Sequence, residues 1–466
     1  MKVSGSARSE VESRLDAGPA AGGPAYALRF SSSVRDRAVY AVAAVWFVAH
    51  LPFLAPALED IDSINFALGL HHYDPALHQP HPPGYPVYIA LGRFALALIH
   101  GVAPGLAYVR ADALALAIWS AVGGALAIVA AGYLFRDMTA NRERAGAVGF
   151  WGATFLALTP LFWMTGLRPM SDMLGLGVAL AAQALILRGS IDGRGLVAGA
   201  ALAGLAAGIR TQTVPLTLPL LAYALFAQRR RGVWLIRPVA ALAAGGVVWA
   251  VPLLVVTGGV SEYLRALGSQ AGEDFAWADM LWAHPTPRAI AFALYDTFLL
   301  PFANPVTGAI LLAIAALGML RMLVIDRRAF GVLVIGYVPY TIFHLLFQEP
   351  ATLRYATPLV VPIVFGVAFL VCSLEPRLAT LSKLPTANVF RSTNSQTFPS
   401  AAVGRALSGP PFPSRRRVLI AAPIAVLLVV PTWSCRQRCP SPQGFRSLPR
   451  RSTDGSLTRH SAPSTT

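Results

Sequence analysis

Directly after its first apolar run the chain reads Glu59-Asp60-Ile61-Asp62, three carboxylates within four residues. Crowding and partial desolvation of that kind tune a carboxylate for work as a general base. The same residues also read as a solvated acidic loop or a helix start, with Asp62 capping a helix through Ser63–Leu70. Sixteen residues further on comes His78-Gln79-Pro80-His81-Pro82-Pro83-Gly84-Tyr85-Pro86. The prolines stiffen this segment and Gly84 permits a turn, so its histidines are held at little further entropic cost. A rigid turn is the plainer reading of it. His71, His72, His78, His81 and the nearby acids match no standard zinc spacing, so no metal ligands are assigned, although a divalent ion remains compatible with them. A third group comprises Arg168, Arg210 and Arg354, each at the end of an apolar run. One such arginine ordinarily snorkels to headgroups. A convergent set would suit the phosphate of a lipid-linked donor, which guanidinium binds as a fork.

The elements that must position these residues are apolar runs. The 466 residues are 55% hydrophobic and 13% charged, about half the charge of a typical soluble chain. Runs long enough to span a bilayer fall at 39–58, 112–134, 146–163, 173–188, 195–209, 213–228, 238–257, 304–321, 329–347, 355–373 and 418–433. The expected fold is therefore all-α, a polytopic helical membrane protein with about 10–12 transmembrane helices. The first 37 residues are polar and show no cleavable signal pattern, so the first apolar run is expected to remain as an anchor.

Short Arg-rich loops should face the cytoplasm. These are 136–144, 188–194, 229–237 and 321–328, together with the N-terminal approach. All fall on one side only if the run 84–100, with Arg93 at its middle, lies at the outer face as an interfacial helix instead of crossing. The outer segments are then 59–111, 164–172, 210–212, 258–303 and 348–354. They hold Glu59, Asp60, Asp62, His78, His81, Arg168, Asp172, Arg210 and Arg354. Segment 258–303 reads as an amphipathic interfacial helix, with Trp277 and Trp282 as weaker candidates for stacking on a sugar.

The formal charge of +16 does not indicate nucleic acid. Residues 1–376 carry a net charge of +4 and residues 377–466 carry +12, with no basic patch interleaved with aromatics. No GxGxxG or GxxxxGK[ST] motif occurs, and the cytoplasmic loops are short. Any substrate must be small, lipid-borne or already outside. Three cysteines, Cys372, Cys435 and Cys439, give no disulfide framework. The domain reading is a cytoplasmic tail at 1–37, a transmembrane unit at 38–376, a disordered linker at 377–417, a last span at 418–433 and a disordered basic tail at 434–466.

The acids after the first span, the string Asp62-Ser63-Ile64-Asn65-Phe66-Ala67-Leu68-Gly69-Leu70 and the string His81-Pro82-Pro83-Gly84-Tyr85-Pro86-Val87-Tyr88 together resemble the first outer loop of the GT-C glycosyltransferases. The resemblance is closest to the protein O-mannosyltransferase-like branch with an HPPGYPLY-type motif. It is specific over residues 59–112, looser at Arg168–Asp172 and Arg354-Tyr355, and ends near residue 376.

The resemblance implies transfer of a sugar, with inversion, from a polyprenyl-phosphate carrier to an acceptor hydroxyl of a glycan, lipid or protein on the non-cytoplasmic face. The setting would be a bacterial inner membrane. Outer-face juxtamembrane helices are implied as well. The family's base is an aspartate of this loop, matched first by Asp62 and next by Asp60. Arg168, Arg210 and Arg354 would hold the donor phosphate, and Glu59, His78, His81, Tyr85 and Asp172 would line the cleft. Relatives often read Asp-Ser-Gly-Glu, so Asn65 stands in place of a second carboxylate that Asp60 would supply. The rival readings are a transporter or flippase, resting on His344, Arg110, Asp112 and Arg210, and an inactive relative.

Overall fold

A computed structural model describes residues 34–192, 194–229 and 235–381. In chain order its helices are α1 (Val34–His50), α2 (Ile61–His71), α3 (Pro86–Val102), α4 (Tyr108–Met138) and α5 (Arg142–Leu158). They continue with α6 (Pro160–Thr165), α7 (Asp172–Asp192), α8 (Arg194–Ile209), α9 (Val214–Arg229) and α10 (Ile236–Val256). The last are α11 (Val260–Trp277), α12 (Pro287–Phe298), α13 (Pro305–Ile325), α14 (Arg327–Phe347) and α15 (Thr357–Leu381). Among the described residues there is no strand, only an isolated bridge between Asp74 and Gln79. The chain is an all-α, polytopic membrane protein.

Ten of these helices coincide with ten of the expected spans. Six contain a stretch long and apolar enough to cross a bilayer by themselves: α4, α7, α10, α13, α14 and α15. The other four, α1, α5, α8 and α9, have 16 or 17 residues. The final run at 418–433, the tail beyond it and residues 1–33 lie outside the described residues.

Three boundaries differ from expectation. Helix α1 begins earlier and ends at His50, where Pro52 opens a 3-10 turn, so the span does not reach residue 58. The run 146–163 is split at Thr159, because Pro160 disfavours the α conformation in the residue before it. The linker expected from residue 377 is helical as far as Leu381.

The run 84–100 forms α3, whose Arg93 has a definite task. Its Nε donates to the carbonyl of Leu70 at 2.9 Å and an Nη to that of Gly69 at 3.0 Å. A guanidinium is thereby placed on the negative C-terminal end of α2. The other end of α2 carries Asp60 and Asp62, so Arg93 fixes the element that presents them.

Helices α4 and α7 cross closely. A side chain on Gly177 would place its Cβ 2.4 Å from the Gly123 carbonyl oxygen, and one on Gly123 would stand 2.4 Å from the Leu174 backbone. Small residues permit this approach, and it fixes Asp172, the first residue of α7. At the opposite end of the bundle Asp326 accepts from the amide of Ala140 at 2.8 Å. The Arg-rich loops 136–144 and 321–328 therefore meet at one end, while the acids and Arg168, Arg210 and Arg354 gather at the other.

Gly177→Leu should lower the thermal midpoint in detergent, with a cost of roughly 2 kcal/mol or more from backbone overpacking. Gly246→Ala, where an added Cβ meets nothing within 4 Å, should leave the midpoint within about 1 °C.

Candidate active site

Asp60 begins α2. Its carboxylate accepts from the Asp62 amide at 3.0 Å, and Ser63 returns the contact by accepting from the Asp60 amide at 3.1 Å. The cap is thus Asp60, not Asp62 as expected, because the helix starts at Ile61 and leaves Asp62 in its first turn. Positive helix ends favour carboxylates, and Asp60 and Asp172 both stand at such ends.

The three acidic residues of the first loop do not simply face one another. Asp60 and Asp62 are bridged by Arg354, which is 292 or more residues away in sequence. One terminal nitrogen of Arg354 donates to Asp60 Oδ2 and the other to Asp62 Oδ2. The Arg354 side chain is only 5% exposed, so these are charge-assisted contacts with little solvent screening. Arg168 adds a second cation 3.5 Å from Asp60 Oδ2. Glu59 is exposed and makes no hydrogen bond or ion pair among the described residues.

Arg210 joins the cluster through Asp172, at 3.1 Å, and donates to Ser171 Oγ at 3.0 Å. Burial works against its charge, but facing Asp172 outweighs it, so Arg210 is held in the charged form. Arg354 Nε lies 3.8 Å from the other oxygen of Asp172. That nitrogen and that oxygen are both buried without a hydrogen-bond partner, and so is Gln212 Oε1. All three residues border one small cavity of about 20 Å³, together with Arg210, Thr213, Tyr340 and Thr357. Asp60 and Asp62 do not line it; they close its neighbourhood through Arg354.

The proline segment brings His81 to the other side of Asp62. His81 Nε2 is 3.6 Å from Asp62 Oδ1 and 3.2 Å from the Tyr85 hydroxyl, and Nδ1 is 3.5 Å from the Asn65 amide nitrogen. Gly84 has φ of 97°, and an added Cβ there would also stand 3.0 Å from the Tyr73 hydroxyl, so glycine is required. Tyr85 follows at φ 47° and is packed edge-to-face on Phe66 at 4.8 Å. Burial lowers the pKa of His81 below its ordinary value, against the pull of Asp62, and raises that of Tyr85. His78 turns the backbone at φ 58° and stands near His81 without bonding to the cluster.

Two tyrosines complete the cluster. The Tyr355 ring lies under both guanidiniums, 4.9 Å from Arg354 and 5.2 Å from Arg210. Tyr340 of α14 donates to the Tyr355 carbonyl at 2.8 Å and so steadies the turn bearing Arg354. Tyr355 was signalled only by adjacency to Arg354, and Tyr340 by nothing, since apolar periodicity reads it as core.

The remaining candidates lie apart. Asp112 is buried and accepts from His71 at 3.0 Å, while Tyr108 and His71 Nδ1 are 2.7 Å apart. His344 is buried against Thr297 and Gln348, both neutral, at 3.0 Å each. Trp277 is 87% exposed, and Trp282 packs on Phe347. No group of three or more His, Cys, Asp or Glu side chains able to hold a metal occurs among the described residues. The acids nearest to such a role, Asp60 and Asp62, already face guanidiniums, so this donor set does not fit a cation.

Lowering pH should destabilise the fold through His81. Its pKa is depressed in the folded chain, so the unfolded chain binds the proton first. Stability is complete above pH 6.5 and is lost as pH falls below that value. Thermal midpoints measured from pH 7.5 to 5 should show this fall, and His81→Gln should flatten it.

Residues 75–234 match the family described as the protein O-mannosyl-transferase TMEM260 N-terminal domain. No curated protein sequence matches the chain. Among solved structures the chain is similar to the Archaeoglobus fulgidus oligosaccharyltransferase complex with Zn and sulfate, at 14% identity and a TM-score of 0.46, over 85% of this chain and 52% of that one. It is also similar to ArnT from Cupriavidus metallidurans bound to undecaprenyl phosphate, at 16% identity and a TM-score of 0.47, over 86% of this chain and 71% of that one. The chain spans about half the length of the archaeal protein. The family match contains the His81–Tyr85 turn, Arg168, Asp172 and Arg210, and over that stretch the chain is similar to the protein O-mannosyl-transferase family.

Proposed function

We propose that the protein transfers a sugar from a polyprenyl-phosphate carrier to an acceptor hydroxyl, with inversion, on the non-cytoplasmic face of the membrane. The observation that carries this reading is the convergence of Asp62 and Asp60 with Arg354, Arg168 and Arg210 at one end of the bundle. A proton acceptor and a set of phosphate-binding cations are what such a reaction needs side by side.

Asp62 takes the proton of the acceptor hydroxyl. The oxygen attacks the anomeric carbon on the face opposite the carrier, and the carbon–oxygen bond to phosphate breaks. Charge then builds on the leaving phosphate, where Arg354 and Arg210 offset it, with Arg168 at the more exposed edge. Asp60 holds the start of α2 and assists as the second acid. His81, kept neutral by burial, hydrogen-bonds on the acceptor side, with Tyr85, His78 and Glu59 around it. No metal enters the reaction as proposed.

The carrier tail has a route. An open apolar groove of about 640 Å³ runs along Val214, Pro215, Leu218, Pro219 and Ala222 of α9 against Phe343, and its polar end is Thr211 and Gln212, next to Arg210. Gln212 borders both the groove and the arginine-lined cavity, so a lipid lying in the groove delivers its phosphate to the cations. The end with the Arg-rich loops faces the cytoplasm in this reading, with residues 1–37 on that side and residues 38–376 forming the transferase unit. The setting is a bacterial inner membrane.

The test is transfer of radiolabel from polyprenyl-phosphate sugars in membrane vesicles. Wild type should transfer from one of them, and Asp62→Ala should reduce the rate about 100-fold or more, as loss of a general base does. Transfer unaffected by Asp62→Ala and Asp60→Ala would end the assignment of the base. Absence of transfer from every donor would end the proposed activity.

A further inference from the structure

We propose that Arg354 locks the base: a donor phosphate must draw it away from Asp60 and Asp62 before either carboxylate accepts a proton, so donor binds before acceptor. This rests on the lipid-phosphate reading of the site and assigns it an order of binding. Both terminal nitrogens of Arg354 are committed to the two carboxylates. Asp62 has its other oxygen toward His81, and Asp60 also meets Arg168. A carboxylate oxygen occupied by a guanidinium is a poor proton acceptor, and a guanidinium occupied by two carboxylates is a poor phosphate ligand. Three acids, Asp60, Asp62 and Asp172, face three arginines, Arg168, Arg210 and Arg354, so the cluster is charge-balanced without any substrate.

The second position of the lock is also visible. Arg354 Nε and Asp172 Oδ2 are both buried and unpartnered, 3.8 Å apart. They border the cavity that Arg210 also lines. A small shift of the guanidinium toward that cavity closes the Nε contact to Asp172, gives up Asp62, and turns the terminal nitrogens toward an anion seated beside Arg210. Tyr355, under both guanidiniums, offers its ring face to Arg354 in either position. Acceptor hydroxyls meeting the site before the donor would find no free base.

The experiment measures binding of decaprenyl phosphate and of decaprenol, which has the same tail without the phosphate, to the full chain in detergent. If the carboxylates compete with phosphate for Arg354, Asp62→Asn and Asp60→Asn should each bind decaprenyl phosphate about tenfold more tightly, the order expected for removing one competing charge-assisted contact. Decaprenol binding should not change. Asparagine still caps a helix, so Asp60→Asn carries the test even if Asp62→Asn fails to fold. Glu273→Gln removes the same charge from an exposed position on α11 that the site does not use, and should leave both affinities unchanged. Equal or weaker phosphate binding by the folded aspartate variants overturns the lock, as does equal tightening by Glu273→Gln. Wild type binding decaprenyl phosphate no better than decaprenol overturns the lipid-phosphate reading itself.

Discussion

The contact on which the site depends is the fork of Arg354 onto Asp60 and Asp62. It joins the turn before the last described helix to the first loop, 294 residues apart for the Asp60 contact. The Arg354 guanidinium is buried, and an isolated charge at that depth would be costly. The surrounding architecture reads as the means of bringing them together. Arg93 holds the far end of α2, the glycine crossing of α4 and α7 places Asp172, and Tyr340 holds the turn of Arg354. Helix α2, helix α7 and the turn before α15 thus deliver two acids, one acid and one cation to a common point.

That balance also shapes the chemistry. A glycosyl transfer of the proposed kind moves negative charge from the acceptor oxygen to the leaving phosphate. A preorganised set of cations and carboxylates answers both ends of that movement with little reorganisation. The internal ion pairs keep the site tolerable in a low-dielectric setting while no substrate is bound. In the proposed reaction substrate must exchange with these pairs, which would make Arg354 the group through which donor and base communicate.

Much of the fold was legible because its signal is local. Apolar runs of spanning length placed ten helices, and the Ala140–Asp326 contact brings together two of the loops whose arginines predicted a shared end. Boundaries failed where a single proline overrode hydropathy, at Pro52 and Pro160. Arg93 looked like evidence against a crossing helix; its structural role is to cap α2, which needs the packing of α3 on α2 to be seen. The site was legible in its residue types but not in its pairing. Asp60, Asp62, Arg168, Arg210 and Arg354 were visible as functional groups, whereas the cap position of Asp60 turned on one residue of register. The fork to Arg354 and the roles of Tyr340 and Tyr355 depend on contacts across the bundle, for which periodicity carries no information. The carboxylates of the first loop are likewise paired with cations from elsewhere in the chain, which spacing alone does not show.

The central claim is that Arg354 and Asp62 act as one unit, and a double-mutant cycle measures this directly. Unfolding free energies in detergent would be compared for wild type, Asp62→Asn, Arg354→Gln and the pair. The account predicts that the double variant is less damaged than the sum of the singles, with a coupling of about 1.5 kcal/mol or more. Additivity within about 0.5 kcal/mol would contradict it.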